Sequence, residues 1–241
     1  MQGDVVERIA DLVKQTSLVQ EINGETYSTN PLHHIVHDPR PEPLFFTSLT
    51  GLRDFVVHNI DGVDAKDMIA VIDSPKAINL YGKIEGPTRR RTILGKVQVA
   101  SDLEEFPFGK YLSHEELIIK LYTLFEGGED IQQLKDIVAT LRAEKVIESK
   151  TEGIGQHVVV AEGVSGAKNV KVPPIVSLAP FRTFREIKQP ESLFLCRAKS
   201  QDSMPPTIAL HEADGGAWRM VAVEGISAWI KANVPDLVVM A

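Results

Sequence analysis

The chain has little of what builds disulfide frameworks or membrane spans. It contains a single cysteine, Cys196, which excludes an internal disulfide and is typical of a reducing cytoplasm. No apolar run approaches the roughly 20 residues that a membrane-spanning helix needs. Residues 1–15 form a charged amphipathic stretch without the basic start and apolar centre of a signal peptide. These absences predict a cytoplasmic protein without a membrane partner.

The sequence also lacks the short motifs that mark common enzyme classes. It has no Gly-x-x-x-x-Gly-Lys-Ser/Thr phosphate loop and no serine or cysteine in a Gly-x-Ser-x-Gly elbow. The pairs Gly127-Gly128 and Gly153-x-Gly155 do not join a strand to a helix as a phosphate loop must, so we interpret them as turns. We predict no catalytic residue and no cofactor.

The composition that is present is that of an ordinary globular protein. The chain has 241 residues, 43% of them hydrophobic and 24% charged, which is enough to bury a full core. Strand patterns dominate the first and last parts of the core region, and helical patterns cluster between them. This order predicts an α+β fold with a largely antiparallel sheet, a central helical hairpin and an N-terminal helical arm. We assign residues 1–43 to an N-terminal helix and extended arm, and residues 44–241 to a single core domain.

The clearest strand pattern lies between Lys171 and Val223. Apolar Phe194, Cys196 and Ala198 alternate with residues of the opposite face, which predicts one strand of an antiparallel hairpin. The predicted elements of this region are strands at 193–199, 207–212 and 218–223, a tight turn at Asp214-Gly215-Gly216, and a helix from about Ile226 to Val234.

Capping residues and turns place the other elements. Ser48 and Ser113 each precede a helical apolar pattern, and Ser113 forms a capping box with Glu116. Asp130 is predicted to cap the second helix of the central hairpin. Before the core region, we predict a first helix with Val5, Ile9, Leu12 and Val13 on one face and then an irregular stretch from Ser17 to Pro43. The helix after Ser48 is predicted to turn Leu49, Leu52, Phe55, Val56 and Ile60 inward. The remaining predictions are hairpins of 68–73 with 77–84 and of 146–149 with 156–161, a strand at 91–100, and an apolar segment at 236–241 that suits an added edge strand or a subunit contact.

The charge distribution is uneven. The net charge of −7 argues against a protein whose whole surface coats nucleic acid. Two basic segments, residues 83–96 and 168–199, stand out from an acidic remainder, and each fits either a polyanion or the acidic surface of a neighbouring copy. Phe181 and Phe184 beside arginines suggest a stacking platform for single strands. The candidate nucleic-acid-binding or partner-binding residues are Arg89, Arg90, Arg91, Lys96, Arg182 and Arg185.

One cluster has metal-ligand residue types at short spacing. His33, His34 and His37 precede Asp38, but a metal site needs three or four converging ligands. An HD-type phosphohydrolase would need its His-Asp pair on a helix, and Pro39 argues against a helix there. We therefore favour a polar arm and predict no metal.

A second acid–base group lies at residues 211–214. On a strand, His211 and Glu212 face opposite sides, so they do not form one acid–base pair. A strand that runs into a turn at Asp214-Gly215 is the favoured interpretation. Cys196, inside an apolar strand, is predicted to be a small core residue rather than a catalytic thiol.

Three stretches, residues 180–187, 189–192 and 209–219, together with Phe194, resemble the uncharacterised YfdQ-like family that phages and prophages encode. The likeness extends back to about Leu94. It implies a bacteriophage early or accessory protein that works in the bacterial cytoplasm, and it implies no particular activity. Members tend to lie among recombination and replication genes, which favours the nucleic-acid alternative. The family-motif residues of unknown role are His211, Glu212, Asp214, Gly215, Gly216 and Trp218.

Together these features predict a non-enzymatic, phage-encoded accessory protein that self-assembles and acts by binding, in host takeover or against host defence. Its partners would be further copies of the chain and a host protein or a small-molecule ligand. The alternative is a single-stranded nucleic-acid-binding or recombination accessory protein. A metal-dependent hydrolase that uses His211 or the histidine arm is a weaker alternative.

Overall fold

The computed structural model divides the chain into two units, residues 1–41 and 42–241. It describes residues 5–9, 11, 19–22, 25–28, 41–85, 89–142, 146–152, 155–162, 166–201 and 204–241. The elements are, in chain order, β1 (Val19–Ile22), β2 (Glu25–Ser28), β3 (Leu44–Phe46), α1 (Leu49–Val57), a 3-10 turn (Ala65–Asp67), β4 (Ile69–Ser74), β5 (Ala77–Glu85), β6 (Arg90–Gln98), α2 (His114–Thr123), α3 (Glu129–Arg142), β7 (Val146–Glu152), β8 (Gly155–Glu162), β9 (Gly166–Val172), β10 (Ile175–Leu178), β11 (Ser192–Gln201), β12 (Met204–Glu212), α4 (Trp218–Asn233) and β13 (Val238–Met240).

In the N-terminal unit, residues 5–9 are helical, as the apolar spacing predicts. Strands β1 and β2 then pair antiparallel, with Val19 opposite Ser28 and Ile22 opposite Glu25. The prediction of an irregular stretch from Ser17 to Pro43 is therefore wrong for these residues. The signal that finds this hairpin in the sequence is the dipeptide Asn-Gly at 23–24 between two short β-prone runs.

The larger unit contains a mixed five-stranded sheet in the order β13-β4-β5-β6-β3. The predicted hairpin of β4 and β5 is confirmed, and β6 continues it antiparallel. The two edge strands add parallel pairing: β13 runs parallel to β4, and β3 runs parallel to β6. The C-terminal apolar segment thus supplies an edge strand to the sheet of its own chain. With its helices, this sheet makes the fold α+β, as predicted.

Helix α4 begins at Trp218, so the prediction of a strand at 218–223 is wrong. The reason is the spacing of the buried side chains. Trp218, Ala222, Ile226 and Ile230 recur every four residues and are all buried, which is one face of a helix. Over so short a stretch, an alternation of large and small residues fits both the two-residue period of a strand and the 3.6-residue period of a helix.

Helices α1 and α4 pack against one face of the five-stranded sheet. The side chain of Ser48 accepts a hydrogen bond from the Gly51 amide, which confirms the predicted cap. The predicted inward residues of this helix are buried, except that Ile60 lies beyond its end and is exposed. Together α1, α4 and the sheet enclose one hydrophobic cluster, which also contains Phe184 and Ile187.

A second hydrophobic cluster lies among α2, α3 and the three-stranded antiparallel sheet β10-β11-β12. The predicted hairpin of β11 and β12 is confirmed, with Cys196 opposite Leu210. Cys196 is buried as predicted, and burial raises the pKa of its thiol to about 12 despite the opposing charge of Arg197. Strands β7, β8 and β9 form a further antiparallel sheet.

The central helical hairpin of α2 and α3 is confirmed. Ser113 and Glu116 form the predicted capping box, in which each side chain reaches the other residue's backbone amide. Asp130 differs from its prediction as a cap, because α3 begins one residue earlier, at Glu129. Its carboxylate instead accepts a hydrogen bond of 2.7 Å from the Ser177 amide of β10, which fastens α3 to the sheet.

Candidate functional site

A cavity of about 380 Å³ opens in the larger unit where five chain segments meet. We call it the Arg182 cavity, after its central side chain. The segments are the β4–β5 turn, the loop before α2, the loop after β10, the end of β12 and the start of α4. The cavity is lined by Ser74, Pro75, Lys76, Glu105, Phe106, Phe108, Pro180, Phe181, Arg182, Glu212, Trp218 and Arg219.

Residues 179–191, which we call the bridging loop, carry Arg182 to this place. On one side, the Phe181 amide donates to the Leu124 carbonyl at the end of α2. On the other, the Thr183 hydroxyl donates to the Pro75 carbonyl in the β4–β5 turn, and Phe184 enters the cluster around α1 and α4. The loop is thus attached to both hydrophobic clusters of the unit.

The bridging loop also satisfies its own buried polar groups. Gln189 is buried, and its side-chain amide donates to the carbonyls of Phe184 and Ile187. The oxygen of the same amide accepts a hydrogen bond from the Arg182 backbone amide. Buried backbone groups need hydrogen-bond partners, which strands and helices supply from their own backbone. In the bridging loop, the Gln189 side chain supplies these partners instead.

Arg182 is only 6% exposed and lies at the centre of a charged network. One of its terminal nitrogens donates to the Glu212 carboxylate at 2.6 Å, and the other donates to the Ser192 hydroxyl. Its guanidinium carbon lies 3.9 Å from the centre of the Trp218 ring, a cation–π contact. Burial lowers the pKa of Arg182 to about 10, against the opposing charges of Glu212 and Asp214, so the side chain stays positive at neutral pH.

Asp214 anchors the other end of this network. Burial by itself raises the pKa of Asp214, but hydrogen bonds from Ser192, Gly216 and Trp218 outweigh burial and hold the pKa below its ordinary value. The Ser192 hydroxyl donates to Asp214 at 2.6 Å, and the Gly216 and Trp218 amides donate at 2.9 and 3.4 Å. The carboxylate therefore caps the start of α4, where the amides have no partner within the helix.

Two buried donors in the cavity wall have no hydrogen-bond partner among the described residues. They are Nε of Arg182 and Nε1 of Trp218, whose side chain is 7% exposed. A buried N–H group without an acceptor costs about 1–3 kcal/mol. Both donors belong to residues that line the Arg182 cavity, so the unmet hydrogen-bonding capacity lies beside this cavity.

A second cavity of about 270 Å³ adjoins the first and shares Lys76, Glu105, Phe181 and Arg182 with it. Arg185 also lines this cavity and lies with its guanidinium carbon 3.5 Å from the centre of the Phe181 ring. The ammonium of Lys76 and the carboxylate of Glu105 form an ion pair of 2.5 Å between the two cavities.

The structure does not bring the predicted basic residues together. Arg90 and Arg91 begin β6 and Arg89 precedes it, whereas Arg182 and Arg185 lie beside Gln98 at the other end of the strand. Eight residues of strand separate these ends by roughly 25 Å. Arg91 donates to the Gly82 carbonyl, and Arg89 and Arg90 are exposed.

The stacking platform predicted from Phe181 and Phe184 is wrong in its second half. Phe184 is buried in the cluster around α1 and α4, so its ring has no face for a base. Arg182 is buried as well and is engaged with Glu212. The charged residues of this stretch led to the prediction of an exposed arginine. Arginine is rarely buried unless its charge is paired, as it is here with Glu212.

Of the family-motif residues, Glu212, Asp214, Gly216 and Trp218 meet around Arg182. His211 is not among the residues that line the cavity; it lies opposite Leu195 in the β11–β12 pair, with Glu212 on the other face. The predicted strand alternation of these two residues is thus confirmed. Ser192, in the network, and Arg219, in the cavity wall, also belong to the site. They are not among the predicted site residues, although both fall within the stretches that carry the family resemblance.

The predicted histidine arm, His33, His34 and His37 with Asp38, lies outside the described residues. Within the described part of the chain, no group of three or more His, Cys, Asp or Glu side chains is arranged to hold a metal ion. Nor is any helix there both long and apolar enough to cross a bilayer.

The chain matches no family model, no curated protein and no solved structure. The likeness to the YfdQ-like family remains a prediction from the sequence, carried by residues of the bridging loop, β11, β12 and the start of α4.

Proposed function

We propose that the protein is a non-enzymatic, phage-encoded accessory protein that self-assembles in the host cytoplasm and acts by binding, with the Arg182 cavity as a binding site. One observation carries the proposal. The segments that resemble the phage family lie between residues 180 and 219, and from them Arg182, Ser192, Glu212, Asp214 and Trp218 form one network beside one cavity. A signature gathered around a cavity with buried free donors fits a site for a ligand.

The chemistry of the network favours binding over catalysis. Ser192 is buried, accepts a hydrogen bond from Arg182 and donates its proton to Asp214. A serine nucleophile needs a neighbouring base that takes its proton during attack, and a carboxylate whose pKa is held low is a weak base. Cys196, with a thiol pKa raised to about 12 by burial, is a poor nucleophile for a different reason.

Self-assembly has a candidate surface on the five-stranded sheet. Phe45, Lys96, Asn79, Val71 and Met240 lie opposite one another in one row that crosses all five strands. This row is on the face away from α1 and α4, and Phe45 is 75% exposed. A face with exposed apolar side chains at both edges suits contact with a second copy.

The test of self-assembly is the mass in solution, measured by light scattering on a size-exclusion column at micromolar concentration. We expect a discrete oligomer free of nucleic acid, and a smaller species for the double variant Phe45→Glu, Met240→Glu. Ile60→Glu is the matched control, because Ile60 is also exposed but lies after α1, which packs on the opposite face. A strictly monomeric wild-type protein would contradict self-assembly.

Single-strand nucleic-acid binding is a second candidate, and the same row of residues favours it. The ammonium of Lys96 lies 5.9 Å from the centre of the exposed Phe45 ring, and Arg89 and Arg90 are exposed at the start of the same strand. Exposed rings beside cations on a sheet are how several modules bind single strands.

This candidate predicts that the affinity for a single-stranded oligonucleotide falls steeply as salt rises. Replacement of Arg89, Arg90 and Arg91 by serine should abolish binding, which fluorescence anisotropy would measure. An affinity that the triple variant leaves unchanged would exclude this surface as the binding site.

A further inference from the structure

We propose that the Arg182 cavity binds an organic anion, in which a carboxylate or phosphate group is joined to a flat apolar group. The oxyanion accepts hydrogen bonds from Arg182 and Trp218 and pairs with Arg219, while the apolar group lies against the aromatic wall. This inference rests on the proposed binding function and adds the chemical class of the ligand.

Two side chains that line the cavity have a buried donor without an acceptor among the described residues. Arg182 uses its two terminal nitrogens on Glu212 and Ser192, but its Nε and the indole Nε1 of Trp218 are buried without a partner among the described residues. The guanidinium carbon of Arg182 lies 3.9 Å from the centre of the Trp218 ring, so the two donors belong to side chains in direct contact. A ligand oxygen satisfies such donors, and an ionised oxygen does so about twice as strongly as a neutral one.

The charges around the cavity leave one cation for the ligand. Glu105 is paired with Lys76 at 2.5 Å, and Glu212 is paired with Arg182 at 2.6 Å. Arg219 is exposed at the mouth, near the Trp218 ring, and within the described part of the chain it makes no ion pair.

Asp214 is a further carboxylate whose charge acts on Arg182. It does not line the cavity, and its oxygens accept hydrogen bonds from Ser192, Gly216 and Trp218. It also lies at the start of α4, where the positive end of the helix dipole offsets its charge. Asp214 is therefore already satisfied, and Arg219 is the charge that remains for a ligand.

The rest of the wall is apolar and aromatic. Phe106, Phe108, Phe181 and Trp218 all line the cavity, and its volume of about 380 Å³ exceeds what a bare phosphate fills. Ligand sites of this size are lined mainly by apolar and aromatic groups, with a few polar groups that orient the ligand. A flat apolar group next to the oxyanion matches this division of the wall.

Phenyl phosphate is the probe, and two-dimensional ¹H–¹⁵N NMR of the full chain is the measurement. The sequence has two tryptophans, so the spectrum shows two indole signals, which the variant Trp229→Phe assigns. We expect phenyl phosphate to move the Trp218 indole proton downfield in a saturable manner, because Nε1 gains an acceptor. Inorganic phosphate, which lacks the ring, and benzyl alcohol, a neutral aromatic alcohol without the oxyanion, should each bind at least tenfold more weakly.

The variant Arg219→Gln should raise the dissociation constant of phenyl phosphate at least tenfold. It should leave the spectrum elsewhere unchanged, since the side chain is exposed. Arg53→Gln, at a half-buried arginine on α1 that pairs with Asp54, is the matched control and should bind as the wild type does. Benzoate in place of phenyl phosphate separates carboxylate from phosphate ligands.

Three results would overturn the inference. The first is a Trp218 indole signal that millimolar phenyl phosphate and benzoate both leave in place. The second is an affinity that Arg219→Gln does not change. The third is equal binding of benzyl alcohol, which would make the cavity a site for neutral ligands. This third result would leave the proposed binding function intact, so failure of the inference and failure of the proposed function are distinguishable.

Discussion

At the scale of the residue, Arg182 shows how one buried charge organises a site. Its guanidinium contacts Glu212, Ser192 and the Trp218 ring, which belong to three different elements. Removal of one member of a buried charged pair leaves the partner without compensation, which is more costly than loss of an exposed pair. The network therefore fixes the start of β11, the end of β12 and the start of α4 relative to one another beside the cavity.

The pH dependence of stability tests the role of Asp214. The pKa of this carboxylate is lower in the folded than in the unfolded chain, so its stabilisation is present above the unfolded value of about 3.9 and is lost as pH falls through the folded value. We expect Asp214→Asn to lower the free energy of unfolding by about 1.5 kcal/mol at pH 7. The difference should shrink below about pH 4.

Urea unfolding of the wild type and the variant between pH 3 and pH 8 measures this difference. Asp102→Asn is the matched control, since Asp102 is exposed in a turn before α2. A deficit for Asp214→Asn that stays the same at pH 3 and at pH 7 would contradict the assignment.

At the scale of the element, the start of α4 depends on the turn that precedes it. Gly215 and Gly216 have φ values of 62° and 82°, which side chains with a Cβ rarely adopt. This left-handed turn brings the Gly216 amide to Asp214 and aims Trp218 at Arg182. The predicted tight turn is thus confirmed, although a helix follows it instead of a strand.

Replacement of Gly216 by alanine should lower the free energy of unfolding by about 1 kcal/mol or more, because of its positive φ. A Cβ there would also overlap the Arg219 guanidinium, which must move aside. Gly127→Ala is the matched control: nothing lies within 4 Å of its added Cβ and its φ is not positive, so its effect should be near zero. Urea unfolding measures both, and equal effects would argue against a strained turn at Gly216.

At the scale of the molecule, the unit 42–241 has two hydrophobic clusters that the bridging loop connects. The loop is attached to the α2–α3 hairpin through Glu126 and to the β4–β5 turn through Thr183. Its Glu186 carboxylate also accepts a hydrogen bond from the Thr50 amide in the first turn of α1. We therefore expect the two clusters to unfold together.

Phe184→Ala tests this cooperativity. Truncation of a buried phenylalanine costs about 3–5 kcal/mol, and the transitions by far-UV circular dichroism and by tryptophan fluorescence should shift together in urea. Tyr122→Ala, at an exposed ring on α2, should cost less than about 1 kcal/mol. Two separated transitions in either protein would mean that the clusters unfold independently.

The elements whose signals are local can be predicted from the amino-acid sequence. The Ser113–Glu116 capping box, the alternation around Cys196 and the glycine turn before α4 each depend on residues within a few positions of one another. Such patterns state which face is buried, and from them the α+β class and most of the strands and helices follow. The error at 218–223 arose where a short run fits more than one period, and the error in 17–43 arose at short strands whose only signal is the Asn-Gly turn between them.

The position of the site, in contrast, depends on contacts between segments that are separated in the chain. The bridging loop has no helix or strand period, so its burial is invisible in the sequence, and Arg182 there looks like a surface charge. Its partners Ser192 and Glu212 follow it by 10 and 30 residues and become neighbours through the pairing of β11 with β12. Burial and long-range pairing convert an ordinary arginine into the centre of a cavity, because each depends on contacts that no local pattern encodes.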